Sequence, residues 1–274
     1  MKNLHYTFIM AMLACLLAIM SCRSNSTNKI ADQTKDATAG DVVSLTANGV
    51  TFNMILVKGG TFTMGATPEQ GNDAQDNEKP AHQVTLSDYY IAETEVTQAL
   101  YEAVMGSKPS DKVGADLPVE MVDGGDCDLF AQKLSDLTGR KFRLPTEAEW
   151  EFAARGGNKS KGFKYAGSDN VEDVAWCGDT DSGTHPVKSK APNELGIYDM
   201  SGNVDEYCAD EYAPYREDAQ TDPKVEADDS PGQVTRGGNF CDESAKDCRV
   251  SKRGYTPGYV FGSLGFRIVM TIEK

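Results

Sequence analysis

The chain reads as an α+β fold of low regular content, and three observations predict it. Short strand-like runs bounded by glycine come first, two clear amphipathic helices and a well-capped third one follow, and a long stretch of loop residues closes the chain. The strand runs are 51–57, ending at Gly59-Gly60, then 61–65, 83–86 and 89–91. Residues 97–105 (TQALYEAVM) place Ala99, Leu100, Ala103 and Val104 at helical spacing before Gly106. Residues 126–138 do the same with Leu129, Phe130, Leu134 and Leu137 before Gly139. The third helix begins at Thr146, whose hydroxyl and Glu149 three residues on make a capping box. Glu147 adds negative charge at the positive end of the helix, and Gly156 ends it. From 157 to 265 the chain is Gly, Asp, Asn, Ser and Pro with brief apolar runs, so something must order it, bound metal or disulfides being the expected agents.

The amino terminus indicates the compartment. After Lys2, the apolar run from Phe8 to Met20 is shorter than the ~20 residues of a spanning helix and has signal-peptide size. It ends in Ile19-Met20-Ser21-Cys22, which resembles the lipobox of bacterial lipoproteins, with a lipid-bearing (palmitate-type) Cys22 as the mature terminus. The expected organisation is a signal at 1–21, a flexible tether at 22–46 and a folded domain at 47–274. The polar, aromatic-poor tether cannot bury enough surface to fold. The implied location is a bacterial membrane of the cell envelope, and the lack of an acidic cluster after Cys22 favours the periplasmic side.

With 27 Lys+Arg against 42 Asp+Glu, the net charge is −15. Such a surface repels phosphate backbones, which excludes nucleic acid and leaves the membrane lipid and an envelope protein or peptide as expected partners. Cys127, Cys177, Cys208, Cys241 and Cys248 remain after Cys15 and Cys22 are set aside, an odd number in an oxidising compartment. No grouping has zinc spacing, and His82 and His185 stand alone.

Six segments in order, GGTFTMG, KPAHQVTLSDYYIAETEVTQALYEAVMG, GRKFRLPTEAEWEFAARGG, NELGIYDMSGNVDEY, TRGGNF and GSLGFR, resemble the formylglycine-generating enzyme (sulfatase-modifying factor) family across about 53–270. The resemblance implies a single domain with that family's variant C-type-lectin-like fold. Catalytic members oxidise a sulfatase cysteine to formylglycine with copper(I), dioxygen and a CxxxxC pair. In this chain the pattern departs. Cys241 stands one place early and Ala245 takes the second position, while Cys248 lies beside Arg249. Three readings stay open: a shifted copper pair of Cys241 and Cys248, a disulfide joining Cys248 to Cys208 or Cys241, or inert buried thiols. Acidic neighbours Asp242, Glu243 and Asp247 raise a thiol's pKa and so oppose thiolate chemistry. The expectation is therefore a domain without cysteine oxidase activity, and if active, a copper-dependent formylglycine-generating oxidoreductase.

The same resemblance implies a structural calcium in the loop at Gly202. Its ligands would be the side chains of Asp199 and Glu206 and the carbonyls of Met200, Gly202 and Val204, an oxygen set of the kind calcium takes. A second ion is not expected, although Asp179 and the Asp181 carbonyl match by spacing. Two family tryptophans are replaced by Asp205 and Tyr207. Arg236, Arg249, Arg253 and Arg267 are expected inside the protein, paired with carboxylates such as those of 147–151. Residues 209–235 and 254–263, with Tyr212, Tyr215, Tyr255, Tyr259 and Phe261, are the expected binding surface.

Overall fold

Strand β1 (Val42–Ala47) pairs antiparallel with β2 (Val50–Val57) across an Asn48-Gly49 turn in which both residues have positive φ. The turn is of the kind that suits Asn-Gly. The computed structural model describes residues 42–179 and 182–272, so the signal and most of the tether lie outside the described residues. The folded domain starts at β1, five residues before the expected boundary of 47. The tether reading of 42–46 is thus corrected: Val43, Leu45 and Ala47 give the strand an inward row.

The main sheet runs β1-β2-β5-β12-β6, with β5 at Tyr89–Ala92, β6 at Phe142–Arg143 and β12 at Val269–Met270. Helices α1 (Gln98–Met105) and α2 (Gly124–Thr138) cover it. Thr97 accepts from the Leu100 N–H, and Gly106 takes the left-handed conformation at φ 76°. Asp123 and Asp126 form the capping box of α2, which begins two residues earlier than the periodicity predicts. Tyr101 stacks on Phe130 at 5.6 Å, and Phe130 meets Phe266 edge-on at 5.2 Å, which fastens both helices to the end of the chain.

A second apolar cluster surrounds α3 (Glu147–Ala154), where Trp150 and Phe152 pack with Val57, Val84, Ile91 and Met200. The capping box of Thr146 and Glu149 is present as the sequence predicts. A three-stranded sheet, β3 (Gly60–Met64), β4 (His82–Leu86) and β8 (Gln220–Thr221), lies on one side of this helix. A four-stranded sheet has the order β10-β9-β7-β11, from β7 (Asp205–Glu211), β9 (Gln233–Arg236), β10 (Arg253–Thr256) and β11 (Leu264–Gly265). Thus 157–265 carries more regular structure than its composition suggests.

Candidate functional site: a buried ion-pair frame, a glycine loop and an aromatic rim

Every residue of α3 is buried, including three glutamates. A helix buried all round normally carries apolar residues; here arginine meets each carboxylate. Arg253 grips Glu147 with Nε to Oε1 at 2.7 Å and Nη2 to Oε2 at 2.6 Å. Arg143 holds Glu149 with two bonds of 2.7 Å. Glu151 receives Arg236 Nη2 on one oxygen and Arg155 Nε, at 2.8 Å, on the other. Arg249 pairs with Glu78 at 2.5 Å and 2.9 Å, where Ser251 also donates. The four arginines of the closing segment are thus internal, as expected. Bidentate geometry of this kind compensates for desolvation only when every donor and acceptor is met. Arg–Glu pairs and strands run through the 157–265 region, and Arg236 Nε, 3.3 Å from Glu147 Oε1, makes no hydrogen bond.

The glycine loop is built around a further pair of this kind. Arg267 donates through Nε to Glu206 Oε2 at 2.6 Å and through Nη2 to Oε1 at 2.5 Å. Trp150 Nε1 adds a bond to Oε2 at 2.7 Å, and Arg267 Nη2 also reaches the carbonyls of Tyr198 and Asp199 at 3.0 Å and 3.1 Å. Asp199 Oδ2 accepts from the Lys188 N–H at 2.8 Å, and burial pushes its carboxyl up to about 6. Glu95, which sequence reasoning missed, sits 1% exposed in the same place. Its oxygens receive the Val204 N–H at 3.1 Å and Asn203 Nδ2 at 2.7 Å, and burial raises its pKa well above the ordinary value. Nothing in the local sequence ETEV marked it.

These residues do not fit the expected calcium as they are arranged. Glu206 has both oxygens occupied by N–H donors, and an ion bound there would share its ligand with a guanidinium carrying like charge. Asp179, of the second site, accepts from His185 Nε2 at 3.0 Å instead, and Asp181 lies outside the described residues. The Gly202 turn is fixed by packing: its φ is 77°, and a Cβ there would sit 2.2 Å from the Trp176 carbonyl.

The cysteines follow neither the copper pair nor the disulfide reading, and the buried-thiol reading holds for Cys248 but not for Cys241. Cys241 is exposed, and burial with Asp242 and Asp205 pushes its thiol up. Cys248 is fully buried in an apolar cluster with Tyr165, Val174 and Ala175, and its sulfur neighbour is Cys177. Cys208 belongs to the separate cluster around α3. The structure therefore joins neither Cys208 with Cys248 nor Cys241 with Cys248. A copper(I) site needs two converging thiolates, and the expected pair does not supply them.

The 209–235 and 254–263 surface divides in two. Tyr212 and Tyr215 face inward, where the Arg253 guanidinium lies over both rings at 4.5 Å and 3.9 Å and Tyr215 bonds Glu147 at 3.2 Å. Tyr255, Tyr259 and Phe261 point outward, at 50%, 66% and 50% exposure. The backbone behind them is pinned, since the Met121 N–H donates to the Phe261 carbonyl at 3.3 Å and the Thr256 hydroxyl to the Tyr259 carbonyl at 3.3 Å. Beside this rim a groove of about 390 Å³ runs between Gly124-Gly125 at the start of α2 and Gln233, Thr256 and Gly258. Asp205 and Tyr207 stand where relatives are expected to carry tryptophan. Tyr207 is buried beneath the rim, and burial holds Asp205 up at about 7 beside Asn239.

The fold, the α3 frame and the glycine loop define a formylglycine-generating-enzyme-like domain. A family model described as the sulfatase-modifying factor enzyme 1-like domain matches residues 40–272, and the chain belongs to that family. It is 34% identical to the chaperone protein LppX of Paenibacillus barcinonensis over 58% of this chain and 71% of that protein. It is 31% identical to the formylglycine-generating enzyme of Streptomyces coelicolor, over 79% of this chain and 88% of that one. Among solved structures, Treponema denticola variable protein 1 matches with a TM-score of 0.74 and 31% identity, over 85% of this chain and 99% of its own. The expected α+β, single-domain fold of this family is thereby confirmed.

Proposed function

We propose that the chain is an envelope lipoprotein whose domain binds or scaffolds another envelope protein or peptide and does not oxidise cysteine. The observation that carries this is the separation of Cys241 from Cys248: one thiol faces solvent and the other is buried against Cys177. The positive half of the reading rests on the aromatic rim of Tyr255, Tyr259 and Phe261, displayed on a pinned backbone beside a groove. Similarity to a protein named as a chaperone supports a binding role. The lipid on Cys22 and the periplasmic orientation rest on the sequence pattern around Ser21-Cys22.

The test has two arms. Copper(I) titration with a competing chelator should give no tight stoichiometric binding that Cys241→Ser removes; such binding, with turnover of a sulfatase peptide, would revive the oxidase. Cross-linking in intact envelopes should capture a protein from the wild type that a Tyr259→Ala/Phe261→Ser double variant fails to capture. Mass analysis of the mature amino terminus reads the acyl chains on Cys22, and Cys22→Ser should release the protein from the membrane.

A further inference from the structure

Cys177 and Cys248 come together through contacts on both sides. Trp176 bridges Gly202, and the Asp179 N–H donates to the Phe240 carbonyl at 2.9 Å, which holds the intervening Cys177 against the 240–242 turn. Cys248 ends a short 3-10 turn, Ala245–Cys248, whose start is capped by Ser244. The two residues pack in one apolar cluster with Tyr165, Val174 and Ala175. Cys177 and Cys248 meet in this cluster, and the Cys177 thiol donates to the Asp242 carbonyl at 3.3 Å. Cys248 is fully buried and Cys177 is partly exposed.

We infer that Cys177 and Cys248 form a dithiol that closes into a disulfide when the protein meets a small disulfide oxidant such as oxidised glutathione. The accessible sulfur acts first. The Cys177 thiolate attacks one sulfur of the oxidant, forms a mixed disulfide and releases one glutathione thiolate. Cys248 then loses its proton and attacks the Cys177 sulfur, expelling the second glutathione thiolate. Two protein thiols become one S–S bond, and the two protons end on the two reduced glutathiones. The order follows from the surroundings. The neighbouring Cys248 lowers the Cys177 thiol below its ordinary value, against burial and the charges of Asp242, Asp247 and Glu172. Cys248, with Cys177 beside it and fully buried, is held well above the ordinary value. Cys127 and Cys208 are sealed in other clusters, and burial raises both.

The full chain, reduced and then exposed to oxidised glutathione under native conditions, tests this. After acid quench and alkylation in denaturant, the expected product has lost the mass of two hydrogens and yields one peptide linking Cys177 to Cys248. Its melting temperature should exceed that of the reduced protein. Cys241→Ser should cross-link as the wild type does, whereas Cys177→Ser should leave Cys248 fully alkylated. Recovery of both cysteines alkylated, a glutathione adduct persisting on Cys177, or Cys248 linked to another cysteine would overturn the assignment.

Discussion

Arg267 and Glu206 meet fork to fork across 61 residues of chain, both wholly buried, and the same guanidinium closes the glycine loop by holding the Asp199 carbonyl. Removing Arg267 leaves a buried carboxylate with no opposite charge and only the Trp150 N–H to compensate it. Arg267→Met should therefore cost about 3–5 kcal/mol, more than the deletion of an exposed pair by several fold. Urea unfolding of the variant reads this directly, and a loss below about 1 kcal/mol, the range of an exposed pair, would mean that the pair is not the clamp described.

The occupied oxygens of Glu206 set an expectation for metal removal. A chelator should leave the melting temperature of purified protein unchanged. A fall that calcium alone restores would place an ion in the 199–206 loop and require Arg267 to swing away.

Asp210 makes stability depend on pH. Its carboxyl accepts the Glu147 and Val225 N–H groups at 2.8 Å each, and burial, followed by the charge of Glu147, pushes it up to about 7 from an ordinary 3.8. Between those values the folded chain keeps a proton that the unfolded chain has shed, so stability falls as pH rises through this window. Asp210→Asn, which cannot titrate, should show a shallower fall of the urea midpoint over the same range. An unchanged slope would exonerate this residue.

Gly202→Ala combines a left-handed backbone with a collision against the Trp176 carbonyl. The cost should exceed about 1 kcal/mol, the usual penalty where only the conformation is wrong. A thermal melt compared with Gly106→Ala, where a Cβ meets nothing within 4 Å, separates the collision from the backbone strain.

The rim should behave in the opposite way. Tyr259→Ala and Phe261→Ser remove half-exposed rings whose backbone bonds remain, so unfolding should shift by no more than about 0.5 kcal/mol. Loss of cross-linking with intact stability is the expected pair of results. Loss of both would return these rings to the core.

How much of this was legible depended on the range of the signals. The α1 and α3 helices could be read because their caps, Thr97 with Gly106 and Thr146 with Glu149, lie within one turn of the apolar pattern they bound. Strand β1 escaped because its exposed residues alternate with only half-buried ones beside a polar stretch, which blurs the period. The short strands after 200 escaped because their inward positions include charge: Glu206 and Arg236 face each other across β7 and β9 and are buried through partners elsewhere in the fold. Spacing to a family pattern separated Cys241 from its expected place, yet gave no hint of Cys177, since no local signal connects two thiols on distant loops. The arginines were legible as internal by kind, but their partners were not: Glu78 lies 171 residues from Arg249.

That last separation bears on how the domain is made. Arg236, Arg249, Arg253 and Arg267 reach back 85, 171, 106 and 61 residues to the glutamates they neutralise, and β11 and β12 fill out two sheets from the last few residues. Until this final stretch emerges, Glu78, Glu147 and Glu206 lack the cations that accompany them into the interior. The nascent chain therefore stays open and solvated until synthesis is nearly finished, and a carboxyl-terminal nick would undo the whole domain rather than trim its edge.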